Sequence, residues 1–132
     1  MRYIYTFTAT IVASIALLLN NACSPSPDSR YDNGISSELA EWRKATIEEL
    51  SYHLHFNIPE QRDKAVTGEV EIGFMLHAPE EIIIDFRDTD LVSSVSCNGN
   101  SDINYRLINE HIIVDHRGVK SGQNTIAIAF EA

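Results

Sequence analysis

The chain has 132 residues, and nineteen acids against ten bases give it a formal net charge of -9. That length allows one domain, and an acidic chain without any Lys or Arg cluster is repelled by phosphate backbones, which argues against nucleic acid as a partner. Its two cysteines, Cys23 and Cys97, stand in unlike surroundings and do not make a disulfide framework.

Residues 1–22 have the layout of a secretory signal: one base at Arg2, an apolar core from Ile11 to Leu19, then Asn20-Asn21-Ala22-Cys23. Removing it leaves about 110 residues to fold. A membrane-spanning helix needs about 20 apolar residues, whereas Thr6, Thr8, Thr10 and Ser14 interrupt a run that ends at Leu19. A permanent span is therefore the weaker reading. Ala22 before Cys23 resembles a bacterial lipoprotein cleavage site, in which the new N-terminal cysteine receives lipid. Such sites usually carry Leu three residues before the cysteine, where this chain has Asn20. The expectation is an exported lipoprotein anchored through Cys23 and facing the periplasm or cell surface, with ordinary secretion as the alternative. Residues 23–35, rich in Ser, Pro and Asp, read as a flexible tether.

Ser36 or Ser37 can cap a short helix reaching to about residue 46. Glu38 and Glu41 suit its positive N-terminal end, and Arg43 and Lys44 its negative C-terminal end. Leu39 and Trp42, three apart, share a face and are expected to pack onto a sheet.

From Leu50 onward the chain alternates with period two. Leu50, Tyr52, Leu54, Phe56 and Ile58 form an apolar face expected to be buried, with Ser51, His53, His55 and Asn57 opposite. Gly68 to Leu76 repeats the pattern with Val70, Ile72, Phe74 and Leu76, and the two runs predict a hairpin. Glu81 to Phe86 is strongly β-branched and is expected near the centre of the core. Leu91 to Cys97 is followed by Asn98-Gly99, which accepts positive φ at both central turn positions. Ile103 to Ile108, His111 to Asp115 and Thr125 to Phe130 complete the set, with turns at Asn109-Glu110 and Lys120 to Asn124. Residues 36–132 thus predict an all-β domain, an antiparallel sandwich or open sheet of about seven short strands. Ile126, Ile128 and Phe130 still alternate two residues from the C-terminus; a free apolar edge there would invite pairing with other chains, so truncation is expected.

Candidate chemistry is sparse. His53 and His55 have a metal-ligand spacing, but a catalytic zinc takes three protein ligands, so these and His77 are read as solvent-facing. His111 and His116, five apart across a strand, point to opposite faces. Glu69 and Glu71 share a face that solvation explains. Cys97 has no activating base and reads as a small core residue.

The order of these signals resembles the N-terminal β-domain of the aminopeptidase N family of zinc metallopeptidases. The residues that carry it are Leu39-Ala-x-x-Arg43-x-x-x-Ile47-x-x-Leu50-x-Tyr52-x-Leu54-x-Phe56-x-Ile58-Pro59, then Gly68-x-Val70-x-Ile72-x-Phe74, Ile84-Asp-Phe86, Val95-Ser-Cys-Asn98-Gly99 and Gly122-x-Asn124-Thr-Ile126-x-Ile128-x-Phe130. The resemblance covers about the first half of that family's N-terminal domain. It implies a non-catalytic scaffold packed beside a catalytic domain, with zinc held in the full-length family and no cofactor in this chain. The family's Gly-x-Met-Glu-Asn and His-Glu-x-x-His motifs have no counterpart here, so no catalytic or metal-binding residue is carried over. The alternative is a stand-alone lipid-anchored β-sandwich that binds a partner at the cell surface.

Overall fold

The computed structural model describes residues 28–131; the expected signal segment, Cys23 and the first part of the tether lie outside the described residues. One helix, α1 (Ser37–Thr46), precedes seven strands: β1 (Ile47–Asn57), β2 (Thr67–Leu76), β3 (Ile82–Asp85), β4 (Val92–Cys97), β5 (Tyr105–Ile108), β6 (His111–Val114) and β7 (Gly122–Glu131). Ser36 caps α1, its Oγ accepting from the Leu39 N–H at 3.1 Å, and Glu38, Arg43 and Lys44 complement the helix dipole as their order predicts.

The strands form two antiparallel sheets, a four-stranded one in the order β1-β2-β7-β4 and a three-stranded one in the order β3-β6-β5. Alternation decides what packs between them. Ile72, Phe74 and Leu76 from β2, Val95 and Cys97 from β4 and Ile126 and Ile128 from β7 meet Ile82, Ile112 and Val114 of the smaller sheet in one core. The smaller sheet is covered on its other face too, where Ile83 and Ile113 pack against Leu39, with Tyr31 and Trp42 alongside. With an apolar layer on each side, all four residues of β6 are buried and its alternation disappears.

The turns follow the local chemistry. Asn98 and Gly99 have φ of 52° and 77°, and Asn109 and Glu110 have φ of 49° and 65°. Both pairs take the left-handed conformation that lets a two-residue turn match strand twist.

Three expectations need correction. The apolar face of β1 is not buried: Leu50, Tyr52, Leu54 and Phe56, with Ile58 just beyond, are 51% to 75% exposed. Their orientation is the inward one, but the smaller sheet does not extend over them. The β3 strand lies in the core as expected, with Ile82 buried in one apolar layer and Ile83 in the other, although it forms an edge of its sheet beside β6. The last strand has no free edge, because β7 is paired on one side with β2 and on the other with β4. Lastly, residues 28–32, expected to belong to a tether, lie against the smaller sheet: the Asn109 side chain donates to the Tyr31 carbonyl at 2.8 Å, and Tyr31 donates its hydroxyl proton to Glu81.

Candidate functional site

One residue keeps Ile47 in phase with the apolar side chains of β1 that follow it. Between Ile47 and Tyr52 an uninterrupted strand would turn Glu49 and Ser51 to the same side as Ile47. Instead the β1–β2 register shifts between Glu48 and Ser51, and Glu49 takes φ of 51° in a bulge. The extra residue resets the phase, so that Ile47, Leu50, Tyr52, Leu54 and Phe56 all face the side of Val70 and Ile72. The Glu49 carboxylate accepts a hydrogen bond from Gln123 Nε2 at 2.6 Å, which ties the bulge to β7.

An open apolar cleft of about 620 Å³ lies between this face and the edge of β3. Leu50, Tyr52 and Leu54 line one wall and Ile84 and Phe86 the other, with Arg43 and Lys44 among the residues at the α1 side. At the opposite end Phe130 makes edge-to-face contacts with Phe56 and Phe86, at ring-centroid distances of 6.0 and 5.4 Å. Gly68 is required beneath this trio, since a Cβ there would run into the Phe130 ring. Such a cleft suits binding of an apolar body. Of its three ionic side chains, Arg43, Lys44 and Asp85, Arg43 and Asp85 are bonded to each other.

Around that pair polar contacts join α1 to β3 and β6 to residues 28–32. The Arg43 guanidinium donates to both Asp85 carboxylate oxygens and, through Nη2, to the Ile83 carbonyl at 2.9 Å. His111, 1% exposed, places Nδ1 3.1 Å from Asp85 Oδ1 but outside hydrogen-bonding geometry, leaving that atom without a partner. Its Nε2 lies 2.8 Å from the Asp32 carbonyl oxygen, which only accepts, so Nε2 carries a proton. Just upstream, Asp28 caps a 3-10 turn, and its hydrogen bonds from the Arg30 side chain hold its carboxyl below the usual range. The Tyr31 phenol is pushed up, first by its hydrogen bond to Glu81 and then by burial.

A polar clasp closes the far turn. Asn124 is buried, and its amide donates to the Lys120 and Gly122 carbonyls at 2.7 and 2.9 Å. Its Oδ1 accepts from the Lys120 N–H at 2.9 Å and from Asn98 Nδ2 at 3.0 Å. Asn98 in turn accepts from the Thr125 N–H. Two turns far apart in sequence are thereby locked together.

The residues weighed for chemistry fall elsewhere. His53 and His55 are exposed and face Glu71 and Glu69 across the β1–β2 ladder, on the solvent side of the larger sheet. His77 is exposed beside Glu48, at 3.0 Å, and His116 is exposed beside Asp115. Among the described residues no group of three His, Cys, Asp or Glu side chains is arranged to hold a metal ion. Cys97 is buried, and burial pushes its thiol up. Sequence reading missed the role of His111, whose only signal is its place in the uniformly apolar β6, and the partner of Arg43. No helix among the described residues is long and apolar enough to cross a membrane. Comparison with protein-family models, with curated proteins and with solved structures returns no match.

Proposed function

We propose that this chain is the non-catalytic N-terminal scaffold of an exported aminopeptidase-N-like zinc metallopeptidase. One observation carries the reading: polar residues from separate stretches of the resemblance pair with each other across the fold. Arg43 of the leading helix holds Asp85 of Ile84-Asp-Phe86, and Asn98 of the Asn-Gly turn holds Asn124 of the last stretch. Residues so joined fix how α1, β3 and the two turns sit, which is what a scaffold needs. The apolar stretches between them supply the strands that those pairs position.

In this reading the catalytic zinc, its water and the general base belong to a separate domain, against which this one packs. Export proceeds through residues 1–22, and lipid on Cys23 holds the product at a membrane surface. Reading the DNA downstream of the Ala132 codon in all three frames tests the proposal. A His-Glu-x-x-His motif encoded within a few hundred codons is expected; its absence from every frame overturns the reading. Mass spectrometry of the mature N-terminus tests the anchor, with a diacylated or triacylated Cys23 expected and an unmodified N-terminus against it.

A further inference from the structure

The sequence holds the dipeptide Asn-Gly twice, at Asn33-Gly34 and at Asn98-Gly99, and the fold treats the two in opposite ways. The Asn98 carboxamide is held at both ends: Nδ2 donates to Asn124 Oδ1 at 3.0 Å, and Oδ1 accepts from the Thr125 N–H at 3.1 Å. Asn33 lies between two anchors of the leading segment. On one side the Asp32 carbonyl is held by His111, and on the other the Ser36 hydroxyl caps α1. The link between them is unheld. Asn33, Gly34 and Ile35 are exposed, and among the described residues neither the Asn33 side chain nor the Gly34 N–H has a hydrogen-bond partner. Beyond its chain neighbours, nothing lies within 4 Å of the place a Cβ on Gly34 would occupy.

We propose that Asn33 is a site of spontaneous backbone modification, rearranging through a cyclic imide, and that Asn98 is protected from the same reaction by its two hydrogen bonds. An unheld Asn side chain can turn its carboxamide carbon onto the backbone nitrogen of the next residue, and glycine has no Cβ to obstruct the approach. The Gly34 nitrogen gives up its proton and bonds to Asn33 Cγ. The bond from Cγ to the side-chain nitrogen breaks, and ammonia leaves with that proton. Water then opens the imide. Opening at Cγ gives an aspartate at position 33; opening at the main-chain carbonyl gives an isoaspartate, in which the backbone runs through the side chain and is one carbon longer. At Asn98 the same rotation breaks both hydrogen bonds, which slows the reaction by roughly tenfold or more. The isoaspartyl form lengthens the link between the Asp32 and Ser36 anchors, so it loosens the docking of residues 28–32 against the smaller sheet.

This inference does not rest on the peptidase reading, which the downstream DNA decides independently. It is tested by peptide mapping with mass spectrometry on the full chain, incubated at mildly alkaline pH both folded and in urea. In the folded chain the peptide bearing Asn33 is expected to gain the mass of deamidation roughly tenfold or more faster than the peptide bearing Asn98. In urea neither side chain is held, and the two rates should converge. Equal rates in the folded chain overturn the proposal, and so does an Asn33 that reacts in urea but stays intact when folded. Asn33→Gln should remove the reactive site and leave the rate at Asn98 as it was. Ion exchange separates the products, and hydrogen exchange then reads the Asp32 N–H, which donates to the Ser29 carbonyl at 3.3 Å. Exchange several times faster in the isoaspartyl form than in Asn33→Asp is expected; equal exchange in the two refutes the loosening.

Discussion

Arg43 and Asp85 are joined by two hydrogen bonds, Nη1 to Oδ2 at 2.8 Å and Nη2 to Oδ1 at 2.7 Å, across 42 residues of sequence. The forked geometry ties the last turn of α1 to the end of β3, while the second Nη2 bond covers the edge of that strand. A planar guanidinium makes these contacts together and an ammonium does not. Arg43→Lys is therefore expected to cost about 1 kcal/mol and Arg43→Ala about 1–2 kcal/mol, allowing for solvent screening of a partly exposed pair. Denaturant unfolding of Arg43→Ala, Asp85→Ala and the double variant checks this; a coupling energy near zero contradicts it.

Asn124 uses both donors and accepts twice in a buried position, so its truncation leaves several backbone groups without partners. Asn124→Ala is expected to destabilise by about 2–3 kcal/mol, and Asn98→Ala, which removes one of those bonds at an exposed turn, by about 1 kcal/mol. Thermal unfolding distinguishes them, and equal losses would count against the arrangement described.

The bulge at Glu49 makes a prediction of opposite signs. Glu49→Gly fits the positive φ and is expected to be neutral or slightly stabilising, the relief of about 1 kcal/mol being offset by the lost bond from Gln123. Glu49→Val places a β-branched residue there and should destabilise by about 1–3 kcal/mol. Deleting the residue removes the extra position and leaves Ile47, Leu50 and Tyr52 in unbroken alternation on one face. Normal folding of both the deletion and Glu49→Gly, beside a lowered melting temperature for Glu49→Val, is the expected result.

Docking of residues 28–32 should depend on pH at both extremes. The Asp28 carboxyl is held low by Arg30, so its contribution is present above the ordinary carboxylate value of about 4 and disappears as pH falls through its lowered folded value. The Tyr31 phenol is raised by Glu81 and burial, so its contribution is complete below about 10 and disappears as pH rises through its higher folded value. Trp42, the single tryptophan, packs beside Tyr31 with the Arg30 guanidinium 5.7 Å from its ring and reports the contact. Its fluorescence is expected to be flat between these limits and to change outside them. Tyr31→Phe should abolish the alkaline step; an unaltered step in that variant would refute the assignment.

Gly68 lies under an aromatic ring, so Gly68→Ala is expected to displace Phe130 and cost about 1–3 kcal/mol. Loss of stability without loss of secondary structure, measured by circular dichroism during thermal unfolding, is the predicted signature.

Much of this fold was legible residue by residue. Period-two alternation located the long strands β1, β2 and β7, because a half-buried strand must alternate whatever it pairs with, and β-branched composition with turn signals located the short ones, all to within a few residues. The helix followed from a serine cap and the order of its charges, and the Asn98-Gly99 turn from the tolerance of those residues for positive φ. These are local constraints, written into short stretches of chain. The solvent-facing positions of His53, His55 and His77, and the buried place of Cys97, followed from the same reasoning.

Only the tertiary structure decided which apolar faces are covered. Alternation shows that Leu50, Tyr52, Leu54 and Phe56 share a side, but covering that side takes a second sheet, whose reach is set by strand order and stagger. For the same reason β7, last in sequence, lies inside its sheet rather than at an edge. The partners of Arg43, His111 and Asn124 were equally hidden. A polar side chain states what it can donate or accept, while the identity of its partner depends on contacts between segments far apart in the chain.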